Sequence, residues 1–100
     1  GSPGEYVHYA ASKAAIDAFT IGLGKEVAAA GIRINAVAPG TAWTGIHAAG
    51  GAPDRPSRVV DRVPMRRIAE PGEIAQSVLW LLSDEASYVT ASIMRVAGGL

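Results

Sequence analysis

The feature that most constrains this chain is a short apolar run, residues 32–38 (Ile-Arg-Ile-Asn-Ala-Val-Ala), sitting directly after a long helical stretch. The run is β-branched and nearly apolar on both faces, which is how a buried parallel strand reads. A second such run covers residues 92–96 (Ser-Ile-Met-Arg-Val), again preceded by a helical stretch. Strands separated by helices imply a parallel sheet with a right-handed crossover. Two parallel strands are too few for an independent sheet. The sequence therefore asks for a missing part, or for another chain to cover the open edge.

The remaining elements follow from periodicity and punctuation. Residues 6–30 read as a helix, with Ile16, Phe19, Leu23 and Val27 recurring at spacings of three and four. Gly31 ends it, as a glycine just past a helix does. Pro39-Gly40 closes the first strand, and residues 41–56 form a long Gly-, Ala- and Pro-rich loop. Loops of that length in compact domains are functional or mobile. Residues 57–62 suggest a short helix, and 64–69 a connector. A second clear helix runs over residues 70–83, with Pro71 in the first turn, Glu73 near the positive end of the dipole, and Ile74, Val78, Leu81 and Leu82 as its apolar face. Residues 84–90 read as a turn region, and Gly98-Gly99 follows the last strand. The fold class is α/β, ordered helix, strand, loop, helix, strand, within one domain over residues 1–100.

Composition narrows the function. Hydrophobic residues make up 49 % of the 100, enough to bury a core. Nine basic and nine acidic residues cancel, which disfavours nucleic acid and anionic membranes as partners. With no cysteine, disulfides, thiolate catalysis and cysteine metal sites are excluded, in keeping with a reducing, cytoplasmic setting. No apolar stretch approaches the roughly 18 residues of a membrane span. The opening Gly-Ser-Pro-Gly-Glu lacks signal-peptide character; Gly1-Ser2 reads as a tag remnant, or the start as a cut inside a longer chain.

Tyr9 and Lys13 are the chemically telling pair. Four apart on a helix, they share a face one turn apart. An ammonium there favours the phenolate and pulls a tyrosine down from its reference pKa of about 10, toward a group able to exchange a proton with an alkoxide near neutral pH. Alone, such a pair is a short motif that arises by chance. His8 and His47 have no partners at metal-ligand spacing, so no metal site is expected. Gly22-Leu23-Gly24 lacks a third glycine and lies inside a helix, so it fails as a dinucleotide fingerprint. Each of those glycines costs its helix up to about 1 kcal/mol, a cost that close packing would offset. Arg66 and Arg67 suit a phosphate contact, but a helix-flanking surface role is the safer reading.

Taken together, several blocks resemble the short-chain dehydrogenase/reductase family. They are Tyr9-Ala10-Ala11-Ser12-Lys13, residues 31–40 ending in Pro39-Gly40, residues 67–73 with 79–90, and Val96-Ala97-Gly98-Gly99. They match in order and spacing over nearly the whole chain. The resemblance implies the C-terminal half of a Rossmann-type doubly wound parallel sheet, incomplete on its own. It implies an NAD(P)-dependent oxidoreductase moving a hydride between nicotinamide and a carbonyl or secondary alcohol, with NAD versus NADP open. Tyr9 then matches the catalytic acid/base, and Lys13 the residue that lowers its pKa and bonds the nicotinamide ribose. Pro39, Gly40 and Thr41 match the turn against the nicotinamide, and Thr44 a hydroxyl on the cofactor. Asn35 matches a mainly structural strand residue, and residues 41–64 match a variable substrate lid that holds Trp43. The family's glycine-rich phosphate turn, its catalytic serine and its active-site asparagine have no counterpart here, and Ser2 lies too near Tyr9 to serve. The 100 residues alone are therefore expected to be inactive. A homo-oligomer, a small carbonyl or alcohol substrate and the missing N-terminal half or another chain are the implied partners. The alternative is a non-catalytic folding or oligomerisation module. Ala91, where the family usually has glycine, and Ala97, where it often has aspartate, are departures expected to touch packing only.

Overall fold

The computed structural model describes residues 7–40, 42 and 60–100. In chain order they form helix α1 (Val7–Val27), a 3₁₀ turn (Ala28–Ala30), strand β1 (Asn35–Pro39), helix α2 (Pro71–Leu82), a 3₁₀ turn (Asp84–Ala86) and strand β2 (Ser92–Val96). β1 and β2 pair in one parallel sheet, and a parallel bridge joins Ala42 to Ala69. The expected alternation of helix and strand is present. The chain divides into two compact units, Gly1–Ala36 with Ala86–Met94, and Val37–Glu85 with Arg95–Leu100.

In the first unit, α1 ends where the sequence asks it to. Gly31 sits at φ +78°, and its N–H donates to the Ala28 carbonyl at 3.0 Å, a left-handed cap that suits glycine. The packed face of α1 differs from the expected one. Thr20 and Gly24 are the buried positions, while Ile16 and Phe19 are more than half exposed. Thr20 can be buried because its hydroxyl donates to the Ile16 carbonyl at 2.8 Å. Gly24 lies against Ala91. A Cβ added at Gly24 would stand 2.9 Å from both the Cα and the Cβ of Ala91, whereas one at Gly22 would meet nothing within 4 Å. The expected return for a helical glycine thus holds at Gly24 and not at Gly22.

Ala91 adopts φ +56°, a left-handed conformation that costs a non-glycine residue roughly 1–2 kcal/mol. Side chains around it tie down the turn. Asn35 donates from Nδ2 to the Val89 carbonyl at 2.9 Å and accepts the Ser92 N–H on Oδ1 at 3.1 Å, the structural role expected of it. The Ile34 N–H donates to Thr90 Oγ1 at 3.1 Å. That side-chain bond replaces a ladder bond, so β1 begins at Asn35 rather than at residue 32.

In the second unit, Val63, Ile68 and Leu81 are the buried apolar residues. Of the expected 57–62 helix, residues 57–59 lie outside the described residues, Val60 carries helical backbone and 61–67 make turns and bends; the 41–56 loop, apart from Ala42, also lies outside the described residues. α2 opens on a capping box: Glu70 is the N-cap, and Glu73 Oε1 accepts the Glu70 N–H at 3.0 Å. Pro71 occupies the first turn. Of its expected apolar face, Leu81 is buried and Ile74 half-buried, while Val78 and Leu82 stay exposed.

Candidate active site

At 3.6 residues per turn, Tyr9, Lys13, Ile16, Thr20, Gly24 and Val27 share one face of α1. The C-terminal half of that face is packed, at Thr20 and Gly24. The N-terminal half is bare, with Tyr9 58 % and Ile16 54 % exposed and Lys13 exposed beside them. The Tyr9–Lys13 pair therefore stands on the continuation of a buried face, at the point where its cover stops.

The phenol and the ammonium face the same way. Lys13 Nζ lies 5.6 Å from the centroid of the Tyr9 ring, within cation–π range. One turn of helix sets this spacing, as sequence periodicity predicts. The neighbouring Ser12 hydroxyl donates to the His8 carbonyl at 3.0 Å, a back-bond inside the same turn that sequence reasoning did not single out. Serine, threonine, asparagine and aspartate make such local bonds so often that the residue type alone gives little signal.

Pro39 and Gly40 belong to the second unit. Pro39 ends β1, and the Gly40 N–H donates to the Val96 carbonyl at 2.9 Å. A Cβ at Gly40 would stand 2.9 Å from the Ala97 Cα, so the bend is drawn tightly onto the end of β2. Thr41 and Thr44, the other expected cofactor contacts, lie outside the described residues, as do Trp43 and His47.

The second unit also holds features the sequence left vague. Arg67 donates both terminal nitrogens to the Glu73 carboxylate, at 2.6 and 2.7 Å. The Arg67 guanidinium and then the Glu70 N–H hold the Glu73 carboxyl down at about 2, and the same pairing raises Arg67. Arg67 is thus a partner at the start of α2, the helix-flanking role expected of it. Arg66 takes φ +58° and donates to the Asp61 carbonyl at 3.2 Å. A cavity of about 130 Å³ opens between Val63, Met65 and the Val96–Gly98 segment, with the Arg67–Glu73 pair on its wall. Among the described residues, no group of three or more His, Asp or Glu side chains is placed to hold a metal ion, and no helix is long and apolar enough to cross a membrane.

Known proteins carry the same segment. A family profile described as Enoyl-(Acyl carrier protein) reductase matches residues 2–100. An oxidoreductase of Escherichia coli K12, YgfF, is 59 % identical over 99 residues, which is 99 % of this chain and 40 % of that protein. The 3-oxoacyl-[acyl-carrier-protein] reductase FabG of Thermotoga maritima is 42 % identical over 101 residues, covering 100 % of this chain and 40 % of the relative. A crystal structure of a 3-oxoacyl-[acyl-carrier protein] reductase from Brucella melitensis superposes with a TM-score of 0.85 at 46 % identity, over 94 % of this chain and 35 % of that one. Another from the same organism, solved with bound NAD, gives 0.82 at 42 % identity, over 94 % and 33 %. The chain spans about 40 % of the length of the relatives it matches most fully. With its helix–strand order, its Tyr9–Lys13 pair and a profile match over residues 2–100, the chain belongs to the short-chain dehydrogenase/reductase family.

Proposed function

We propose that this chain supplies the tyrosine–lysine part of the active centre of an NAD(P)-dependent oxidoreductase acting on a carbonyl or secondary alcohol. The observation that carries the reading is the bare N-terminal half of the α1 face, where the Tyr9 phenol and the Lys13 ammonium stand together. An exposed hydroxyl and an exposed ammonium one turn apart are a donor set that suits a ribose diol, so the residues present fit a nicotinamide nucleotide. Tyr9 and Lys13 would hold the ribose, and the backbone at Pro39 and Gly40, with Thr41 and Thr44, would meet the nicotinamide end. When bound, the nicotinamide supplies the hydride that arrives at the substrate carbon.

The chain's own residues handle the proton. Tyr9 Oη gives its proton to the carbonyl oxygen as negative charge develops there, leaving a phenolate. The Lys13 ammonium stabilises that anion across one helical turn. In the alcohol direction the same oxygen takes the proton back. Relatives named as 3-oxoacyl-[acyl-carrier-protein] reductases make a 3-oxoacyl thioester the first substrate to try. Oxidation of NADH and of NADPH by the complete protein with acetoacetyl-CoA decides this. Tyr9→Phe is expected to cut turnover at least about a hundredfold, the scale of general acid catalysis. A Tyr9→Phe protein with near-normal turnover overturns the role.

A second reading has its own support. Phe19, Leu79, Leu82 and Tyr88 are all more than 60 % exposed, and among the described residues the sheet has two strands. A piece with this much bare apolar surface suits a folding or oligomerisation module that meets another chain. Titrating this 100-residue chain with NADH or NADPH, followed through Trp43 and Trp80 fluorescence, separates the two. Saturable micromolar binding favours a working site, and no binding favours the module.

A further inference from the structure

We propose that Gly24 is a positioning residue for Tyr9 and Lys13, acting through a contact with Ala91 that has room for one methyl group and not two. This rests on the oxidoreductase reading above. All four residues lie in the first unit.

Three observations converge on the contact. Gly24 is buried, and any Cβ there would stand 2.9 Å from the Ala91 Cα, 2.9 Å from its Cβ and 3.0 Å from its N. Two of those three atoms are backbone, which does not swing aside as a side-chain tip does. Ala91 itself is at φ +56°, a conformation glycine takes freely and alanine does not. The turn that presents it is held on both sides, by Asn35 to Val89 and Ser92, and by Ile34 to Thr90 and to the Ala91 N–H at 2.7 Å. The methyl thus sits on the partner that is strained to carry it, and the helix gives up its own Cβ to accept it.

The consequence reaches the reactive pair because α1 is packed at one end of its face and bare at the other. Tyr9 stands about 22 Å along the helix axis from Gly24, at 1.5 Å per residue. A second methyl at the contact would lift the packed half, and the lever arm carries the displacement to the phenol and the ammonium. Misplacement of reacting groups by about 1 Å, from a change far from the chemistry, costs up to about a hundredfold in rate.

The test is a double-mutant cycle in the complete protein, with Gly24→Ala, Ala91→Gly, the two together, and Gly22→Ala as a control in the same helix. Thermal melting and NAD(P)H-dependent reduction of acetoacetyl-CoA are measured for each. Gly24→Ala is expected to lower Tm by roughly 2–6 °C. It should lower kcat about tenfold or more and also raise the KM for cofactor, because the displaced pair holds the ribose. Adding Ala91→Gly should bring both back toward the unmodified values, since the flexible glycine lets the turn give by a few tenths of an ångström. Gly22→Ala should leave kcat unchanged. If Gly24→Ala does not fold, the comparison moves to the double variant, which is expected to fold and turn over. Additive effects in the cycle would overturn the contact. Coupled melting with an unchanged kcat in Gly24→Ala would overturn the positioning role and leave a packing contact. Absence of turnover in the unmodified protein would remove the oxidoreductase reading and the positioning role with it, while the melting cycle still decides whether the two positions share one methyl.

Discussion

The two helices are built on opposite plans. α2 is specified by its own sequence: a capping box from Glu70 and Glu73, a first-turn proline, and a bidentate Arg67–Glu73 pair at its start. It anchors with one fully buried leucine, Leu81. α1 has no acidic residue in its first turn, and it packs through a threonine and a glycine while Ile16 and Phe19 stay exposed. α1 nevertheless carries the Tyr9–Lys13 pair. The difference teaches that the helix carrying Tyr9 and Lys13 is seated by contacts distant in sequence, while the face that bears the pair stays bare.

The largest stability effect that probes this contrast is truncation of the two helices' apolar residues. Leu81→Ala removes a side chain that is 6 % exposed, and it is expected to cost about 2–5 kcal/mol by chemical denaturation of this chain. Ile16→Ala in α1 removes one that is 54 % exposed, and it should change stability by no more than about 0.5 kcal/mol. Equal losses at the two positions would break the comparison, because they would mean that α1 is anchored by its apolar residues after all.

That same contrast explains what was legible in the sequence. α2 and β2 could be read to within a residue because their signals are local: a proline, a pair of glutamates three apart, a β-branched run. The Tyr9–Lys13 face was legible for the same reason, since helical spacing alone aligns the two. The packed face of α1 was not, because periodicity weighs Ile16 and Phe19 heavily and gives glycine no weight. Thr20 looks polar until its hydroxyl is seen bonded to the Ile16 carbonyl. The late start of β1 was hidden too, since Thr90 and Asn35 take over backbone partners from far along the chain. Arg67 and Glu73 are six apart, a spacing with no meaning on a helix, and meet only because the segment before α2 turns. Ala91 was visible as a departure from the family, but its left-handed backbone was not.

A smaller effect sharpens the comparison within α1. Gly22 and Gly24 are two residues apart, yet a Cβ at Gly22 meets open space. Replacing an interior helical glycine by alanine in open space gains up to about 1 kcal/mol, because alanine loses less backbone entropy on folding. Gly22→Ala should therefore raise the melting temperature while Gly24→Ala lowers it. Two losses, or two gains, would show that the Ala91 contact does not set the helix's seat.

The smallest expected effect concerns acid and the start of α2. Glu73 has its carboxyl held at about 2, below the ordinary 4.5, first by the Arg67 guanidinium and then by the Glu70 N–H. A carboxyl with a depressed value in the folded protein contributes stability above its unfolded value, and that contribution fades as pH falls through the folded one. The window is therefore from about 4.5 down to about 2. The pair is half exposed, so water and salt screen it and the contribution is small. Melting curves of the unmodified chain and of Glu73→Gln should differ slightly at pH 7 and converge across that window, with the pH 7 difference shrinking in high salt. Amide exchange at the first turn of α2 should quicken over the same range, while the turn at Gly31 that ends α1 stays unchanged. A Glu73→Gln difference that persists undiminished at pH 2 would mean that Glu73 acts on α2 by something other than its charge, and the plan drawn for α2 would lose its ion pair.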